Sequence, residues 1–234
     1  MIVQNKKASH VGVILSFVIF VTLLVFLFSI FGSPIKFSQS KDPLLDYLEI
    51  ELESRLTTNL TIITISPPAE EKECIQINNA GLGLSGLKTI VKDKDNNIIL
   101  SKISGDYLYI KWTAQEFFKI YYAKELTNIN SDVGTDCYVL VGGDINSYRE
   151  DYFYSEDKVD EFISSYESNY SQLKSELGIP INNEFSLSFI DSKGNITQTE
   201  QKDVSVEIYS RDLPIQYFDE MANINSGFIN IKVW

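Results

Sequence analysis

The chain has 234 residues, 44% hydrophobic and 22% charged, with a formal net charge of −12. That balance excludes a fully disordered protein and a multi-span channel. No acidic residue precedes Asp42, so the part after residue 32 carries 18 Lys and Arg against 32 Asp and Glu. Such a surface repels phosphate backbones, and no nucleic-acid partner is expected.

Val11 to Phe31, VGVILSFVIFVTLLVFLFSIF, is a 21-residue run without a charge. As a helix it spans about 32 Å, which matches the roughly 30 Å hydrocarbon core of a bilayer. A lone segment in lipid satisfies its backbone only as a helix. The run is long for a secretory signal, and its exit, FGSP, has no A-x-A pattern. A single retained span is therefore expected, with Lys6 and Lys7 held on the cytoplasmic side. The division is 1–10 cytoplasmic, 11–31 transmembrane and 32–234 extracytoplasmic, at the cell membrane.

Lys6-Lys7-Ala8-Ser9-His10-Val11-Gly12-Val13-Ile14-Leu15 resembles the start of archaeal archaellins and type IV pilin-like proteins. Those open with basic residues, a small-residue cleavage site and a long apolar helix. The resemblance implies cutting by a prepilin-type peptidase near Lys7/Ala8, and a helix that packs in a filament core or stays in the membrane. Lys7 stands where those proteins usually carry Gly, and Val13, or Gly12 on a shifted count, where bacterial-type pilins carry Glu. The overall layout also resembles single-pass ectodomain proteins of small-genome archaea, and the excess of Lys over Arg fits an AT-rich genome.

Asp42-Pro43 reads as a helix start, with Asp as N-cap and Pro in the first turn. Leu44, Leu45, Leu48, Leu52 and Leu56 continue it at helical spacing over about 43–57. Leu60–Ser66 and Cys74–Asn78 read as strands. Leu87–Val91 and Ile98–Ile103 flank a polar turn as a hairpin. Tyr107–Trp112 is another strand, Phe117–Tyr122 fits strand or helix, and Tyr138–Gly142 reads as a buried strand. From Ser155 to Leu177, apolar residues Val159, Phe162, Ile163, Tyr166, Tyr170, Leu173 and Leu177 mark a helix. Ser155 caps it, and Gly178 and Pro180 stop it. Glu184–Ile190, Val204–Ser210 and Gly227–Trp234 complete the strands, the last with Ile229, Ile231 and Val233 inward. The fold class is α+β: one N-terminal transmembrane helix, then a mainly antiparallel ectodomain with helices at about 43–57 and 156–177.

Cys74 and Cys137 are the only cysteines. An outer compartment permits a bridge between them, with two separate buried thiols as the alternative. Such a bridge is worth about 4 kcal/mol in the chain-entropy model. The only histidine is His10. The ectodomain thus lacks the parts for Ser-His-Asp or Cys-His catalysis and for a histidine-bound zinc. No catalytic, cofactor-binding or metal residue is assigned.

Gly81-x-Gly83-x-x-Gly86 has dinucleotide-loop spacing but is followed by strand pattern, and reads as a loop that packs Leu82, Leu84 and Leu87. Asp93 to Asn97 has the first oxygens of a calcium loop, but Ile98 stands where Gly is needed and Ser104 where Glu is, so a hairpin turn is expected. Asp191 to Asn195 is another turn. Asn59, Asn169 and Asn195 head glycosylation sequons, no more than this composition yields by chance. Tyr148, Tyr152, Phe153 and Tyr154, among carboxylates, form a candidate recognition surface.

The leading expectation is a non-enzymatic single-pass membrane protein, pilin-like or an envelope or adhesion component. Its partners would be the lipid bilayer and further copies of the chain or other pilin-like or envelope proteins. The alternative is a membrane-tethered extracytoplasmic ligand-binding or sensory module. A carboxylate-dependent extracellular hydrolase ranks below both.

Overall fold

The computed structural model describes residues 8–31, 41–66, 72–112, 116–141, 145–200 and 207–234. The chain divides into two compact units, Met1–Ser40 and Lys41–Trp234.

In the first unit, α1 (Ala8–Phe31) is one uninterrupted helix. Its side chains are described from 11 to 27, and all of these are exposed. That stretch is about 26 Å long at 1.5 Å per residue. Among the described residues no helix is long and apolar enough to cross a membrane.

The second unit is α+β and mostly antiparallel. Helix α2 (Asp42–Leu56) leads directly into β1 (Thr57–Ile65). Asp42 is the first residue of α2; the cap position is Lys41, with no side-chain cap bond. Proline in the first turn lacks a backbone N–H that would have no intrahelical partner there anyway, and its fixed φ suits the start. The strands β2 (Cys74–Asn78), β3 (Lys88–Lys92), β4 (Ile98–Ile99), β5 (Ser101–Ser104), β6 (Tyr107–Lys111), β7 (Phe118–Ala123), β8 (Cys137–Val139) and β9 (Ile145–Ser155) follow. Then come α3 (Glu156–Glu176), β10 (Phe185–Ile190), β11 (Ile196–Gln198), β12 (Tyr209–Phe218) and β13 (Ile224–Val233). A nine-stranded sheet runs β11-β10-β13-β12-β9-β1-β7-β3-β4, and a four-stranded sheet runs β5-β6-β2-β8.

One face of the large sheet carries two different covers. Leu45, Leu48, Leu52 and Leu56 of α2, with Val159, Phe162, Ile163 and Tyr166 of α3, pack on Phe185, Leu187, Ile229, Ile231 and Val233. Each buried aliphatic side chain of this kind contributes about 1.5–3 kcal/mol of transfer free energy. Over the other half, Ile75, Ile77, Leu108 and Ile110 of the small sheet pack on Ile63, Ile65, Phe118 and Ile120. On the opposite face, Leu60, Ile62, Ile90, Tyr121 and Phe153 meet Leu126, Phe218 and Ala222.

Several sequence expectations need correction. Phe117–Tyr122 resolves as strand, since Phe118, Ile120 and Tyr122 share one buried face and pair with β1 and β3. The 98–103 strand divides at Leu100: β4 pairs with β3 in the large sheet, and β5 with β6 in the small one. The expected buried strand at 138–142 is the short edge strand β8, with Val139 59% exposed. Gly142 lies outside the described residues. The final strand starts earlier, at Ile224. The strand expected at 204–210 is β12 at 209–218; residues 204–206 lie outside the described residues. Strand β9 was not anticipated, nor was the break in α3 at Asn169, which has φ −150° and ψ 51°.

Candidate functional site

The seam between the two covers lies over β9 and β1. Side chains alternate along a strand, so Tyr148, Glu150, Tyr152 and Tyr154 face one way, opposite Ile63, Thr61, Asn59 and Thr57 of β1. Tyr154 packs at the edge of the helix-covered core and Ile63 belongs to the sandwich core. Between them the face is open: Tyr152 is 77% exposed and Tyr148 47%. Phe153 has the opposite parity and is buried on the other face. The expected recognition surface therefore keeps its three tyrosines and loses Phe153.

Carboxylates border this strip. Tyr148 Oη donates to Glu150 Oε1, and Asn59 Nδ2 donates to Glu150 Oε2 at 3.4 Å. The Glu150 bond leads in raising the Tyr148 hydroxyl above its ordinary value. Burial, with the charges of Glu53 and Glu49 beside it, pushes Tyr154 up to about 12. Arg211 reaches across from β12 to Asp46 at 2.5 Å and Glu49 at 2.9 Å. The strip is tyrosine-floored and acid-edged.

A cleft of about 530 Å³ lies between α2 and α3, with Leu56, Phe162 and Leu173 among its lining residues. Its polar groups hold one another. Asn169 Nδ2 donates to Gln172 Oε1 at 2.6 Å, and Gln172 Nε2 to Glu176 Oε1 at 2.9 Å. Arg55 sits 3.5 Å from Glu176 and 3.9 Å from Glu51. This ladder ties the end of α2 to the distal half of α3, beyond the break.

Cys74 and Cys137 sit opposite each other on parallel strands, with Cα atoms 4.4 Å apart and at disulfide distance. Cys74 is buried and Cys137 half-buried. Beside them, Glu73 Oε2 accepts the N–H groups of Thr135 at 2.9 Å and Asp136 at 3.2 Å. These bonds hold the Glu73 carboxyl below its usual range. Gly134 is required here: its φ is +92°, and a Cβ would lie 2.7 Å from the Glu73 side chain.

Asp93 is occupied by its own loop, accepting from Asp95 N, Asn97 N and Asn97 Nδ2 at 2.8–3.0 Å. Asp191 makes the same three bonds with Lys193 and Asn195. Asp219 repeats them with Met221 and Asn223. In each turn the fourth residue has positive φ: Asn96, Gly194 and Ala222. The shared signal is Asp four residues before Asn. Among the described residues no group of three or more His, Cys, Asp or Glu is placed to hold a metal ion. The Gly81–Gly86 segment starts in a 3₁₀ turn, Ala80–Leu82, and runs as a loop into β3, with Leu84 buried.

The sequons differ in setting. Asn59 is half-buried on β1 and bonded to Glu150. Asn169 is exposed at the α3 break. Asn195 is exposed, but its amide donates to Asp191 Oδ2. Lys7 lies outside the described residues, and Ala8 opens α1.

Lys92 is a buried cation the sequence did not single out. Its Nζ donates to Ala222 O at 3.0 Å and Asn223 Oδ1 at 2.7 Å, and lies 5.5 Å from the Tyr121 ring centre. Burial lowers its affinity for the proton. It fastens the β12–β13 turn to β3.

No family model, curated protein or solved structure matches the chain.

Proposed function

We propose that the chain is a non-enzymatic, membrane-anchored surface protein. Residues 11–31 cross the lipid bilayer once, Lys6 and Lys7 stay in the cytoplasm, and residues from 32 onward face outward. The carrying observation is α1: an apolar run without a charge, folded as one helix, with its described side chains exposed all round. A helix apolar on every side needs lipid or a protein interior around it. The disulfide-distance pair supports the outer placement, because bridges persist outside the reducing cytosol. The N-terminal resemblance favours a pilin-like subunit, assembling with further copies or with other envelope proteins.

The test is intact-mass and N-terminal peptide mass spectrometry on protein from native membranes. A chain that begins at Ala8 or Ser9 supports pilin-type processing. A chain beginning at Met1 or Ile2 removes the processed-pilin reading and leaves a permanent anchor. Loss of everything through Gly32 removes the anchor as well.

The second reading is a tethered binding or sensory module. The open tyrosine strip of β9 favours it, because exposed aromatic residues are enriched where proteins meet partners. It predicts retention of Lys6 and Lys7 together with a soluble partner.

A further inference from the structure

We propose that the seam of the large sheet binds an extended segment of another polypeptide, one carrying lysine or arginine at two positions four residues apart. The inference rests on reading the β9 tyrosine face as a recognition surface, and not on the membrane anchor.

The shape comes from the two covers. Helices close one half of the face and the small sheet closes the other, which leaves Tyr148 and Tyr152 at the surface of a strand that pairs with β1 along its length but with β12 only at Tyr154 and Ser155. Before Tyr154 the side of β9 away from β1 has no strand ladder among the described residues, so an extended partner meets both that edge and the tyrosine side chains. Four strand residues span about 13 Å, and an extended peptide repeats at the same rise per residue. A peptide lying along β9 would set side chains four apart over Tyr148 and Tyr152, with Glu150 between them.

The charge comes from the border. Glu49 and Glu53 lie beside Tyr154 and Glu150 beside Tyr148, and Arg211 is engaged with Glu49. Glu150 accepts hydrogen bonds from the neutral donors Tyr148 and Asn59. An anionic or apolar partner would leave Glu53 and Glu150 without a countercharge. A cationic side chain meets both their charge and the faces of two phenol rings, a contact worth about 0.5–1 kcal/mol at exposed sites and more when desolvated. Residues 72–124 of this chain contain eight lysines against five carboxylates, so a second copy is the competing occupant.

The test uses the full chain in detergent micelles and a fluorescent Gly/Ser peptide with two lysines four residues apart. Binding is expected to weaken with salt, and about tenfold in Tyr152→Ala, as one lost contact of about 1.4 kcal/mol would give. Tyr148→Ala should weaken it similarly, and Tyr152→Phe should restore it, because the ring remains. Glu53→Gln with Glu150→Gln should weaken it, whereas Glu161→Gln with Glu167→Gln, which removes equal charge from α3, should not. Equal loss in both charge pairs, or equal binding of a peptide with adjacent lysines, would overturn the proposal in favour of general attraction. No peptide binding, with self-association abolished by Tyr152→Ala, would overturn it in favour of a second copy. Tyr152 is mostly exposed, so its substitution leaves the fold intact.

Discussion

The two halves of the large sheet are closed by different means. The helix-covered half is sealed by continuous stripes, four leucines from α2 and the inward face of α3, over the long strands β12 and β13 and the six-residue β10. The sandwich half is sealed by strands of three to five residues and ends in the edge strand β8. Residues 124–136, which lead into β8, contain no strand or helix. Long amphipathic helices bury enough apolar area to hold without covalent help, whereas short strands do not. The Cys74–Cys137 pair ties β8 to β2, in the half with the least regular cover. Charge divides along similar lines: the segment 72–124 has an excess of lysine, and α3 carries six carboxylates against two lysines.

The largest expected effect tests the staple. The pair closes a separation of 63 residues, so replacing both cysteines with serine should destabilise the unit by about 4 kcal/mol in the chain-entropy model. Hydrogen exchange should then show β2, β8 and the 124–136 segment opening while α2 and α3 stay protected. Equal loss of protection in the helices would merge the halves into one cooperative unit.

Next is Leu48→Ala in the helix half. Leu48 is fully buried under α2, and truncating such a side chain costs about 3 kcal/mol. Urea unfolding by far-UV dichroism should show the shift. A change below about 1 kcal/mol would mean that the site collapses around the cavity.

Gly227→Ala should cost about 2 kcal/mol through overpacking, because a Cβ there would lie 2.6 Å from Ile190 O and 3.1 Å from the Tyr217 ring. The same urea assay reads it. An unchanged midpoint would show that β10 and β13 can separate freely at that point.

The smallest effect is at alkaline pH. Tyr154 is raised to about 12, so the folded state keeps its proton after the unfolded chain has lost one near pH 10. The stability this contributes is complete below pH 10 and is lost as pH rises toward about 12. Tyr121, Tyr122, Tyr166 and Tyr170 shift in the same direction, with burial as the leading cause. Tyr154→Phe should therefore make the alkaline loss of stability shallower without removing it. An unaltered slope would place the Tyr154 hydroxyl in free solvent.

The helix half was largely legible in the sequence, because leucine at 3.6-residue spacing and the Ser155 cap have no other economical reading. The break at Asn169 was not, since the apolar steps run through it without a gap. β9 was hidden by polarity: INSYREDYFYS shows few apolar residues, because its open face carries tyrosines and a glutamate and its other face carries Arg149 and Asp151. β12 was hidden by Arg211, Asp212 and Pro214, and Pro214 lies on a strand paired fully with β13. In the sequence the candidate surface is a run of neighbouring aromatics, whereas strand parity separates Phe153 from Tyr152 and Tyr154. The third Asp-to-Asn turn was missed because Glu220, Met221 and Ala222 carry no turn signal. The division of 98–104 between two sheets depends on long-range pairing that no local pattern encodes.

The most direct test of the anchored, outward-facing arrangement is protease treatment of intact cells or right-side-out membrane vesicles, followed by mass spectrometry of the chain that remains. Loss of peptides from 41–234 with retention of a membrane-embedded fragment containing residues 11–31 is the predicted result. Full protection of 41–234 until detergent is added, or release of the intact chain by an alkaline wash, would contradict it.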